Sequence, residues 1–239
     1  MTENAPVRGP ETAAFAGKKL TSKGQRTRSV ILDAAERQFA ERGFEGVSLR
    51  QIMDEAQVQM GQLQYYFPTK EDVFASVLER RLAGVVERYR QAMDEFDQQV
   101  ERGEGDLSAV IRAVLAVSRE WLASDDVGRH RYLRMLGLAT MSFSQPDYIQ
   151  SHGQAFRPLN ERVVVGLCRV FPDSDQARVI AAYHFIEAQM LSLYVNLDAL
   201  FARKGEPRSA AGVHRFYDDL EEFLCGGCAR MLGSPSLAI

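Results

Sequence analysis

Three groups of residues have types and spacings that could do chemistry. The first lies within SLRQIMDEAQVQMGQLQYYFPTKEDVF, Ser48 to Phe74. There Gln59, Met60, Gln62, Gln64, Tyr65 and Tyr66 crowd one short segment. If Val58, Leu63 and Phe67 turn inward on a helix, those six side chains are left facing outward. Glutamine amides pair with adenine edges in a DNA groove, and glutamine and tyrosine both reach phosphates. A polar surface helix has the same composition, so these residues alone leave both readings open. The second group is His184-x-x-Glu187, three apart on one face of an otherwise apolar helix, which suits either a ligand contact or a buried structural pair. The third is Cys225-Gly-Gly-Cys228, with redox or zinc spacing but only Cys168 left as a further thiolate. Helical cysteines beside small residues equally fit inert packing.

Enzyme chemistry finds little support. A di-iron bundle needs Glu-x-x-His pairs on two helices, and here the order is reversed and solitary. No Gly-rich phosphate loop or nucleophile elbow is present. No catalytic residue, metal or cofactor is expected.

The elements that must position these residues read as helices almost throughout, because apolar residues recur at helical spacing and no alternating β-branched run stands out. The first helix runs from about Ser22 to Arg42, with Ile31, Ala35 and Phe39 on one face, and ends at Gly43 so that Phe44 can fold back. A second starts at Ser48, where Ser48 and Gln51 have capping-box spacing, and stops near Ala56. A third covers roughly Gln59 to Tyr66 and breaks at Phe67-Pro68. Thr69 then caps a long fourth helix with Glu71 and Asp72 in its first turn. Further helices are expected near 107–123, 127–142, 147–171, 174–203 and 209–232, about nine in total. The fold class is therefore all-α: an N-terminal three-helix helix-turn-helix head on a larger helical-bundle body. Residues 1–20 form a disordered basic arm, 21–69 the head, and 70–239 the body.

Charge is placed unevenly. The chain of 239 residues has a net charge of −3, which argues against a generally adhesive nucleic-acid binder. Residues 1–74 are balanced, so the body carries the negative excess, whereas Arg8 to Arg28 holds six bases (Lys18, Lys19, Lys23 and Arg26 among them) against Glu11. One end is suited to meet an anion. No stretch nears the roughly 18 apolar residues of a membrane span, and no membrane partner is expected. The first residues lack a signal-peptide pattern, and three cysteines form an odd count, so a reducing, cytoplasmic setting is expected.

From Ala34 to Glu71 the chain resembles the DNA-binding head of the TetR (tetracycline-repressor) family. Ser48, Ile52, Ala56, Val58, Gly61, Leu63, Phe67, Lys70 and Glu71 fall in register with that family's pattern, as does AAERQFAERGFEGVSLRQI, Ala34 to Ile52. Three positions depart from it: Gln57 stands where the family has Gly, Gln64 where it has Tyr, and Tyr66 where it has His. The resemblance implies a ligand-responsive transcriptional regulator, a repressor that binds a palindromic DNA operator as a homodimer and is released by a small hydrophobic effector. A regulator with no small-molecule ligand is the alternative. Under the resemblance, Ser48 and its helix start would hold a phosphate, Arg50 would reach backbone or a base edge, and Lys70 a further phosphate. Lys23 and Arg28 would follow the DNA backbone or a minor groove beside Gln59, Met60, Gln62, Gln64, Tyr65 and Tyr66.

For the body, the resemblance implies that the last two helices pair across the dimer and that the interior holds an effector. The helix near 174–203 is apolar on more than one face and the one near 209–232 adds Phe216, Tyr217, Leu220 and Phe223. Candidates for the ligand wall are Trp121, Met135, Leu138, Met141, Phe143, Phe156, Leu159 and Val163, with Asn160, His184 and Glu187 as polar contacts. An apolar wall favours a hydrophobic effector over a sugar or nucleotide.

Overall fold

A computed structural model describes residues 20–141 and 152–233 of the chain. Among these residues there are nine helices and no strand: α1 Ser22–Arg42, α2 Leu49–Ala56, α3 Met60–Tyr66, α4 Lys70–Glu101, α5 Leu107–Ala123, α6 Val127–Thr140, α7 Arg157–Val170, α8 Gln176–Lys204 and α9 Ala210–Leu232. No helix among them is long and apolar enough to cross a membrane.

Local chemistry sets the helix ends. Thr21 opens α1 by accepting the Gly24 N–H at 3.2 Å. Gly43 closes it at φ +70°, donating its N–H to the Phe39 carbonyl at 2.9 Å. Phe44 then turns back and stacks on Phe39 with ring centroids 5.9 Å apart, as the spacing predicts. Ser48 and Gln51 complete a capping box on α2, and Thr69 and Asp72 complete one on α4. Helices as short as α2 and α3, of 8 and 7 residues, cannot stand alone and pack on α1. They share a core in which Ile31, Phe39, Ile52, Leu63, Phe67 and Phe74 are all at most 1% exposed.

One expected element is split. The chain near 147–171 does not run as one helix through its described part, because a turn at residues 155–156 separates a helical stretch at 152–154 from α7. Pro158 is the physical reason: lacking an N–H and clashing with the preceding turn, it fits only the first turn of a helix. Residues 142–151 lie outside the described residues.

In the body α5 is the central rod, with Val110, Ile111 and Val114 buried between α4, α7 and α9, while α6 packs on α8. The head joins the body through polar groups that the periodicity gives no hint of. Glu36 on α1 is buried near Arg80 (3.6 Å) and Arg81 (3.9 Å) of α4. Burial pushes its carboxyl above the usual range despite those arginines. Arg81 also reaches Asp126, the N-cap of α6, at 3.4 Å.

Candidate nucleic-acid interface and body cavity

The head presents α3 with a sharp division of faces. Leu63 and Phe67 are fully buried, while Gln59, Gln62, Gln64 and Tyr65 are exposed and Met60 is half-buried. Gln62 is partly committed to structure, since its Oε1 accepts the Gln59 N–H at 3.1 Å and so caps the helix start. Gln64 has no such duty in the helix start and stands on the open face. Tyr66 corrects the expectation of an outward pair: it is 9% exposed, and its hydroxyl lies close to Gly24 of α1, where an added β-carbon would meet it at 3.2 Å. On a seven-residue helix position 66 falls three residues after Leu63, on the same face, so it packs with the core. Its ring meets that of Tyr65 edge to face at 5.2 Å.

The turn before α3 carries the one strained residue. Gln57 sits at φ 54°, ψ 42°, the only non-glycine with positive φ among the described residues. Its amide Nε2 donates to the Asp54 carbonyl at 2.6 Å, a local bond that helps hold a conformation suited to glycine.

The cationic candidates divide. Lys23 and Arg50 are exposed. Arg28 is half-buried, with its guanidinium 5.3 Å from the centre of the Phe67 ring. Lys70 is drawn back on the head: Nζ donates to the Phe44 carbonyl at 3.1 Å and lies 4.1 Å from the centre of the Phe44 ring. The Ser48 hydroxyl is used within its own cap, accepting the Gln51 N–H at 3.3 Å. What remains at that helix start for an anion is the set of first-turn N–H groups that no helix can satisfy internally. Lys18 and Lys19 lie outside the described residues.

In the body a cavity of ≈ 160 Å³ lies between α4, α5, α6, α7 and α8. Of the candidates among the described residues, Phe156, Asn160 and Glu187 line it and the others do not. Trp121 packs edge to face on Tyr132 at 5.6 Å, and Met135, Leu159 and Val163 are buried in the core beside the cavity. Leu138 is half-buried away from the lining, Met141 is 58% exposed at the end of α6, and Phe143 lies outside the described residues. The His184 side chain is 63% exposed, and its Nδ1 lies 3.3 Å from Glu187 Oε2. Residues three apart on a helix differ by about 60° in direction, which lets Glu187 reach the cavity while His184 stays in solvent.

Sequence reasoning missed the tyrosines. Tyr89, Tyr183 and Tyr194 line the same cavity, and the Tyr183 hydroxyl donates to Glu187 Oε1 at 3.3 Å. The Tyr89 hydroxyl is buried with no hydrogen-bond partner among the described residues. Burial raises the ionisation of all three phenols far above the ordinary tyrosine value, so each remains a neutral donor. The signal was available in α4, where Tyr89 follows Val85 by four residues on the inward stripe.

Two family models match this chain. The one described as bacterial regulatory proteins, tetR family, covers residues 31–77, and the tetracyclin repressor-like C-terminal domain covers residues 109–227. Among curated proteins, the HTH-type transcriptional repressor KstR2 of Mycobacterium tuberculosis is 32% identical over 87 residues, which are 36% of this chain. The match spans 44% of that relative's length. The HTH-type transcriptional dual regulator CecR of Shigella flexneri is 22% identical over 195 residues, covering 78% of this chain and 83% of the relative. Among solved structures, the fatty acid degradation regulator FadR from Bacillus halodurans superposes with a TM-score of 0.56 at 20% identity, covering 88% of this chain and 98% of that one. That likeness supports the fold: a helix-turn-helix head on a helical body.

Proposed function

Because the chain belongs to the TetR family of bacterial regulatory proteins, we propose that it is a ligand-responsive transcriptional repressor, binding a palindromic operator as a homodimer and leaving it when a small, largely apolar molecule enters the body. The observation that carries this reading is the division of α3: an apolar face locked into the head core and an outer face of Gln59, Gln62, Gln64 and Tyr65. Amides and phenols on a short exposed helix suit a major groove. Ser48, Arg50, Lys23, Arg28 and Lys70 would add backbone contacts, with Tyr66 supporting α3 from inside. Repression is favoured by the name of KstR2, a transcriptional repressor.

Dimerisation is supported by apolar surface on the last two helices. Phe185 and Ile180 on α8 are 62% and 38% exposed, and Phe223 on α9 is 69% exposed. Large exposed aromatics on a helix pair mark a surface that gains from a partner. A two-fold dimer also matches the symmetry of a palindrome.

Selection of bound DNA from a random pool by the purified full chain tests the reading. Enrichment of an inverted repeat is expected. Recovery of sequences with no common motif would overturn it.

A further inference from the structure

The effector class is legible in the cavity's polar groups, and this inference rests on the ligand-responsive reading above. Glu187 is the only formally charged residue among those that line the cavity in the described structure. Among the described residues no lysine or arginine lines it. The carboxylate is met on Oε1 by the Tyr183 phenol at 3.3 Å and on Oε2 by Nδ1 of the exposed His184 at 3.3 Å. The rings of Tyr89, Tyr183, Tyr194 and Phe156 line the same cavity.

A carboxylate beside aromatic rings, with no fixed cation in the lining, repels carboxylates and phosphates and attracts ammonium groups, which gain both a charge-assisted hydrogen bond and the negative ring faces. The buried Tyr89 hydroxyl, on the same lining, is a second and independent polar group open to a ligand. It has no hydrogen-bond partner among the described residues, and a buried polar group left unpaired costs about 1–3 kcal/mol. A ligand polar group at that position would recover that loss. The volume of ≈ 160 Å³ is close to the about 150 Å³ that admits a benzene ring in an engineered protein cavity.

We propose that the body cavity binds small amphipathic organic amines, with the ammonium held by Glu187, the phenol of Tyr89 hydrogen-bonded to a ligand polar group, and the apolar part among the tyrosine and phenylalanine rings. The same charge disfavours fatty acids and other anionic effectors.

Three probes of matched size separate the possibilities: benzylammonium, benzyl alcohol and benzoate, titrated calorimetrically into the full chain near pH 8, where an ordinary histidine is neutral. Benzylammonium is expected to bind about tenfold more tightly than benzyl alcohol, the worth of one charge-assisted contact, and benzoate not measurably. Glu187→Gln should bring the amine and the alcohol to within about threefold. Tyr89→Phe removes one buried oxygen without changing shape and should weaken the amine by a smaller factor while raising the melting temperature of the empty protein. Equal binding of the alcohol or benzoate, saturable binding of none of the three, or an unchanged preference in a folded Glu187→Gln would overturn the proposal. The DNA selection reads the head separately. Selected DNA without amine binding removes only the ligand class, and amine binding without selected DNA removes only the regulatory reading.

Discussion

The guanidinium of Arg134, on α6, donates from Nε to the carbonyl of Ala40 at 2.7 Å, tying the body to the last turn of α1. The same group donates from Nη1 to the carbonyl of Val195 on α8 at 2.5 Å. Val195 adjoins Tyr194, and with Glu187, Met190 and Leu191 that stretch of α8 forms one wall of the cavity. One rigid, planar cation therefore spans the head and the cavity wall. Any displacement of α8 by a ligand would act on the head through it, and through the Glu36 cluster one turn earlier on the same face of α1. Coupling of this kind requires that the two ligands favour different arrangements of a shared element, and Arg134 is the element with a partner on each side.

Arg134→Ala should cost about 1–3 kcal/mol, the loss of hydrogen bonds from a charged donor, and should speed amide exchange in the last turn of α1. Arg134→Lys should recover less than half, because a point charge cannot hold two carbonyls in a fork. Urea denaturation and hydrogen exchange measure both. A fully stable, fully protected Arg134→Ala would show the bridge to be incidental.

The glutamines and Lys70 should differ in kind. Gln64→Ala leaves the head's own hydrogen bonds intact and should relax sequence preference at one or two operator positions by about 1–3 kcal/mol. Gln62→Ala should do so as well, but with an added stability loss because Gln62 caps α3. Lys70→Ala should weaken binding to all sequences and flatten the salt dependence. It should also lower head stability, since Nζ is held by Phe44. Binding titrations against an operator library at two salt concentrations separate these effects, and identical specificity changes for Lys70→Ala and Gln64→Ala would refute the division.

The head was nearly all legible because its signals are local. Caps at Ser48 and Thr69, the stop at Gly43 and the inward triad of Val58, Leu63 and Phe67 are fixed by neighbours within a turn or two. Tyr66 was misplaced because a tyrosine satisfies either face; its position three residues after Leu63 allows the inward one, and its approach to Gly24, forty-two residues earlier in the chain, settles it. The cavity was less legible for the same reason at longer range. Met135 and Leu159 are apolar at helical spacing just as true lining residues are, and which side of the core they meet depends on how five helices cross. Arg134 bonds only to backbone carbonyls, 94 and 61 residues away, and carbonyls leave no mark in a sequence.

Gln57→Gly should stabilise the protein. A side chain in the left-handed region costs roughly 1–2 kcal/mol relative to glycine, partly offset here by the bond from Gln57 to Asp54. A net gain of about 0.5–1 kcal/mol in chemical denaturation is expected. A less stable Gln57→Gly would mean that the amide bond outweighs the strain.

Phe223→Glu places a charge on the most exposed large aromatic of α9. If α8 and α9 form the dimer surface, this variant should sediment as a monomer and lose operator binding while keeping its helical content, because a desolvated unpaired charge opposes association. An unaltered dimer would move the interface elsewhere.

Stability should fall as pH drops from neutral to 5, and His152 is a named source. It is buried, with Nε2 2.8 Å from the Tyr132 hydroxyl, and burial pushes its pKa down to about 4 from the ordinary 6.5. The folded state therefore resists a proton that the unfolded chain accepts. For a depressed histidine the stabilisation is complete above the unfolded value and is lost as pH falls through 6.5 toward 4. Between pH 7 and pH 5 that amounts to about 2 kcal/mol from this residue alone. The neutral ring can accept the Tyr132 hydroxyl, whereas an imidazolium would have to donate to it, so protonation forces that bond to reverse as well as adding a buried charge. His152→Gln keeps an acceptor but does not titrate. Urea denaturation of both proteins at pH 7 and pH 5 should show the wild type losing about 2 kcal/mol more than the variant across that interval, and parallel losses in the two would place the acid sensitivity in other groups.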